Sequence, residues 1–62
     1  MNLLTETRYK LNYSKNNLRS LLETDTSKLT KDAKHYVDDE ISKAKRNIEY
    51  YSRIMELLEE SD

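Results

Sequence analysis

Between Val37 and Leu58 the apolar positions succeed one another at helical intervals. Val37, Ile41, Ala44, Ile48, Tyr51, Met55 and Leu58 are separated by steps that alternate between four and three residues. That spacing keeps a stripe on one face of an α-helix, and it predicts a helix over about 31–60. The steps make an unbroken heptad seam of about three heptads, the pattern of a short coiled coil. Ala44 marks the point where a neighbouring helix would come closest. From Tyr50 onward a second apolar row, Tyr50, Ile54 and Leu57, runs beside the seam and widens the apolar face.

A second periodic stretch precedes it. Leu4, Leu11, Leu18 and Leu22 fall within about 40° of one another at ~100° per residue, with Leu3 and Leu21 flanking them and the small Thr7 and Ser14 alongside. Asn2 or Thr5 suits the N-cap, and Glu6 favours the first turn. This predicts a helix over about 3–23. The run Thr24-Asp25-Thr26-Ser27 consists of residues that prefer caps and turns to helix interiors. Thr30 then suits the N-cap of the second helix, with Asp25 and Ser27 as alternatives and Leu29 as an apolar staple. A connection this short makes the helices antiparallel neighbours. The expected fold is all-α, an antiparallel helical hairpin forming one domain over 1–62. Glu6 with Lys10, Asp39 with Lys43, and Glu49 with Arg53 are spaced for surface ion pairs.

The lengths do not match. At 1.5 Å per residue the second helix overshoots the first by about 12–15 Å. Ile54, Met55, Leu57 and Leu58 lie in the overshoot, and residues 1–4 are placed to cover part of it. Each large apolar side chain left in water forgoes roughly 1.5–3 kcal/mol of burial, a large share of what a small domain has in hand. The hairpin is therefore expected to complete a four-helix bundle as a homodimer, or to dock on a partner protein.

Composition narrows the picture. Glycine, proline and cysteine are all absent, which removes tight hairpin turns, glycine-rich phosphate cradles, disulfides and thiolate metal sites. Charged residues make up 37% of the chain with both signs mixed, and the net charge is −1. There is no apolar run of the roughly 20 residues that cross a bilayer, and the start lacks the features of a signal peptide. A cytoplasmic protein is expected. The abundance of lysine, asparagine, tyrosine and isoleucine suits a low-GC bacterium or its phage.

Catalytic chemistry finds no foothold. The one histidine, His35, has Asp38 and Asp39 within a helical turn, but one histidine on a charged helix reads as surface. No cofactor, metal site or catalytic residue is expected, and no enzyme. Residues 1–23 carry a charge of +2 and residues 24–62 a charge of −3. In a hairpin Lys10 and Lys15 would lie near the level of Lys43 and Arg46, a basic belt that could meet nucleic acid. The acidic end, Glu56, Glu59, Glu60 and Asp62, opposes that reading. The function expected is protein–protein interaction, by a bacterial or phage-encoded regulator or inhibitor of a larger protein. An RNA-binding bundle and a structural oligomerisation element are the alternatives. Tyr9 and Tyr13 on one surface, and Tyr50, Ile54, Met55, Leu57 and Leu58 on another, are the candidate contacts.

Overall fold

A computed structural model describes residues 2–60. Two helices, α1 (Leu3–Glu23) and α2 (Lys31–Glu60), pack against each other as a hairpin. The expected boundaries hold at both helices. Of the positions used above, residue 1 of the 1–4 segment and Asp62 lie outside the described residues.

The caps explain the boundaries. Asn2, with extended backbone, accepts from the Thr5 N–H through Oδ1 at 2.8 Å, so Asn2 rather than Thr5 starts α1. At its other end a helix commonly closes through a left-handed glycine. This chain has none, and no described residue adopts positive φ. Thr24 instead turns to extended geometry and donates its N–H to the Leu21 carbonyl at 3.2 Å, while its hydroxyl donates to the Ser20 carbonyl at 2.9 Å. The Ser27 N–H donates to Asp25 Oδ1 at 3.0 Å, and the Leu29 N–H to the Thr26 carbonyl at 3.1 Å. Thr30 then caps α2, accepting the Ala33 N–H at 3.2 Å on its hydroxyl and the Lys34 N–H at 2.9 Å on its carbonyl. Short polar side chains thus do the work of glycine. Leu29, expected to staple the turn, stays about one-third exposed.

The core is thinner and differently centred than the leucine pattern suggests. Thr7 (4% exposed), Leu11 and Ser14 (5%) on α1 are its deepest positions, with Ala44 (2%) on α2. Small side chains let the two backbones come close, and the contact line follows them. Their hydroxyls enter without cost in unmet hydrogen bonds: Thr7 donates to the Leu3 carbonyl at 2.8 Å and Ser14 to the Lys10 carbonyl at 3.0 Å. No buried polar side-chain atom is left unpartnered among the described residues. The leucines straddle this line. Leu4, Leu18 and Leu21 are half-buried, while Leu22, placed by periodicity on the central stripe, is 61% exposed. At 100° per residue Leu4 and Leu22 lie about 50° to one side of the contact line, and Leu3 and Leu21 about 50° to the other.

The length mismatch is also distributed differently. Leu3 and Thr7 lie alongside Tyr51 and Ile54, so only about three to six described residues of α2, roughly 5–9 Å of helix, run past the start of α1. The rest of the excess stands at the turn end, beside the 24–30 connection. Ile54, Met55 and Leu58, expected to be stranded in an overhang, are half-buried; Leu57 is exposed. On the surface Glu6 and Lys10 pair at 3.5 Å, whereas Lys43 turns to Glu40 (3.4 Å) rather than Asp39. Arg53 likewise turns to Glu56 (3.4 Å) rather than Glu49. Exposed pairs differ by fractions of a kcal/mol, so spacing alone does not choose between them. No described helix is long and apolar enough to cross a membrane.

Two outcomes test this account. Ala44→Leu inserts bulk where the backbones are closest and lowers stability by about 1–3 kcal/mol, read by urea unfolding at fixed protein concentration. Asp25 accepts from the Ser27 backbone N–H and then from its hydroxyl, which holds its carboxyl below the ordinary value of 3.8. The turn is therefore tied while Asp25 is ionised and loosens as pH falls through that lowered value. By NMR the Asp25 carboxyl carbon and the Ser27 amide titrate together below 3.8, and Asp25→Asn leaves the Ser27 amide flat over the same range.

Candidate interaction surface

Because the helices meet on small residues, open troughs run along both sides of the contact line. On one side the trough floor is Ser14 and Ala44, and its walls carry Tyr9, Tyr13 and Asn17 from α1 with Asn47 and Tyr51 from α2. Toward the end formed by the N-terminus of α1, it continues past Lys10 and Tyr51 to Leu3, Tyr50 and Ile54. The rings of Tyr50 and Tyr51 meet edge to face, with centroids 5.3 Å apart. Tyr51 leans inward, half-buried, and Tyr50 stands outward at 63% exposure. On the opposite side a second trough is lined by Leu18, Leu22 and Ile48 and edged by Lys15, Arg19 and Glu23.

Several residues singled out from the sequence come together here. Tyr13 and Tyr50 are exposed on the walls of the first trough, and Ile54 lies on its flank. Leu57, one turn beyond Ile54, extends the same row. Tyr9 is 72% exposed at the outer rim. Met55 and Leu58 belong to the seam and are half-buried. Leu3 and Tyr51 complete the surface. Sequence reasoning had placed Tyr51 inside and Leu3 beside the leucine stripe. The signal for both was Thr7 and Ser14: centring the contact on these small residues turns Leu3 to the trough.

The basic candidates do not gather. Lys10 is paired with Glu6, and Lys43 with Glu40. Lys15 lies about 140° around α1 from Lys10 and borders the other trough. Arg46 is exposed on α2. His35 is exposed, and the described residues contain no group of three or more His, Asp or Glu side chains arranged to hold a metal ion.

The arrangement offers apolar and aromatic area with few fixed charges. Tyrosine presents a broad ring and a hydroxyl that pairs with water or with a partner. Burying such a surface would remove large apolar area from water while leaving the hydroxyls free to pair. Comparison with known protein families, with curated proteins and with solved structures returns no match for this chain.

Proposed function

We propose that this chain is a non-enzymatic protein–protein interaction module. It regulates or inhibits a larger protein by binding it, in the cytoplasm of a bacterial or phage-infected cell. The observation that carries this reading is the apolar surface the hairpin leaves uncovered. Leu11 and Ala44 are the buried apolar residues of the described chain, while Leu3, Tyr9, Tyr13, Leu22 and Tyr50, along the two troughs, are each 60% or more exposed. A domain this small has only a few kcal/mol of net stability, so covering that surface with another chain is its most direct source of further stability. Uncovered apolar clusters on small proteins mark association sites. The scattered basic side chains, two of them neutralised by carboxylates, support this reading over the nucleic-acid one.

The test is capture of the target from cells that produce the protein. A target recovered at fixed molar ratio, and lost with Ile54→Asp plus Leu57→Asp, is the expected result. Tyr50→Ala, at an exposed position, should weaken that binding about 10-fold or more, the ~1.4 kcal/mol of a modest interface anchor. A chain that retains nothing and unfolds cooperatively as a lone monomer overturns the reading.

A further inference from the structure

The two flanks of the α2 seam differ. One residue before each seam position lies a second line, Tyr36, Glu40, Lys43, Asn47, Tyr50, Ile54 and Leu57, with the same alternating steps of four and three. Its ends are apolar or aromatic, and its middle is an internally paired Glu40–Lys43 with Asn47. One residue after each seam position lies the opposite flank: Asp38, Ser42, Lys45, Glu49, Ser52, Glu56 and Glu59. No apolar residue occurs on it. The flank with apolar ends borders the tyrosine-walled trough, and α1 contributes Leu3, Lys10, Tyr13 and Asn17 to the same side.

From this one-sided pattern we infer that the tyrosine-walled side is the docking surface for a second copy of this chain. The two hairpins lie face to face with their two-fold axis along the bundle, so that α1 of each copy crosses α2 of the other. The inference rests on the reading above of this surface as an association site, which a second copy covers when the target does not. Three features support the occupant and its orientation. First, charge: on the facing side each helix carries an internally paired set, Glu6 with Lys10 on α1 and Glu40 with Lys43 on α2, so a second copy can be laid on it without opposing net charge. Second, register: antiparallel α1 and α2 lines at the spacing seen within the hairpin set Leu3 by Leu57, Lys10 by Tyr50, Tyr13 by Asn47 and Asn17 by Lys43 of the other copy. Leu3 meets Leu57 at the apolar end and Asn17 meets Lys43 in the polar middle, with Lys10 and Tyr13 set against Tyr50 and Asn47 between them. In the reversed orientation Leu3 would face the polar turn. Third, area: the line spans 22 residues, about 33 Å of helix, across two helices about 20 Å wide together. That is close to the ~800 Å² per partner typical of stable complexes.

The chain contains no cysteine, so one introduced at Glu59, on the polar flank, takes a spin label cleanly. In the arrangement inferred here both labels sit at one end of the bundle, and pulsed electron resonance reads about 20–30 Å between them, from helix spacings of 8–10 Å and the label arms. The reversed orientation separates them by roughly the length of α2, beyond about 40 Å. Sedimentation equilibrium should show a dimer at micromolar concentration. Tyr50→Asp, on an exposed side chain, should weaken it about 100-fold, and Ser42→Asp, on the polar flank, should not change it. A dimer with the long distance overturns the orientation, and a dimer indifferent to Tyr50→Asp overturns the surface. A monomer that still captures its target overturns self-pairing alone. A dimer that captures nothing overturns the regulator reading and leaves this one standing.

Discussion

The close approach of the two helices at Thr7, Leu11, Ser14 and Ala44 governs the rest of the molecule. Three of these four side chains are small, and the two hydroxyls are satisfied by carbonyls of their own helix. The backbones can therefore meet without leaving polar groups stranded, which is the usual penalty for burying threonine and serine. The consequence is a displaced hydrophobic surface. A hairpin that packed on its leucines would have spent them inside. This one packs on its small residues and pushes Leu3 and Leu22 to opposite open edges. The thin core and the apolar troughs have the same cause.

That cause also separates what the sequence makes legible from what it does not. Helix extents follow from local chemistry: Asn2 and Thr30 supply cap oxygens, and the Thr24–Ser27 run supplies the turn bonds that glycine would otherwise provide. These interactions span two to four residues and are visible in a linear reading. The rotation of α1 about its axis is a different kind of quantity. Leu4, Leu11, Leu18 and Leu22 define an apolar centroid, but the contact line is set by where the backbones can come closest. That depends on Ala44 in the other helix. Counting leucines puts Leu22 inside; weighing Thr7 and Ser14 as packing residues puts it outside. The surface ion pairs fail for another reason. Lys43 has carboxylates both three and four residues before it, and the energy between the two choices is smaller than any rule of spacing resolves.

The sidedness of α2 bears on the alternatives for function. On the polar flank, Lys45 is interleaved with Asp38, Glu49, Glu56 and Glu59. The matching flank of α1 carries Arg8, Lys15 and Arg19. A nucleic-acid backbone laid there would meet cations from one helix and carboxylates from the other. Neutralising consecutive phosphates requires a run of one sign, and mixed flanks give up with one helix what they gain with the other. A protein surface of mixed charge suffers no such penalty. It can answer each sign locally, and mixed charges at an interface rim sharpen specificity and orientation more than affinity.

The choice of residue on the opposite flank is consistent with a surface that alternates between water and burial. Tyr13, Tyr36 and Tyr50 stand well exposed there, where leucine or isoleucine would serve a permanent core better. A tyrosine ring brings large buriable area at the cost of ordering only two side-chain torsions, and its hydroxyl stays hydrated while the partner is absent. Isoleucine and leucine enter only at Ile54 and Leu57, where Leu3 lies near enough to shield part of the row. The gradient along α2, from tyrosine and paired charge to aliphatic side chains, therefore places the strongest association energy at one end. Under the self-pairing inferred above, an encounter would begin through the exposed rings and close on the aliphatic end.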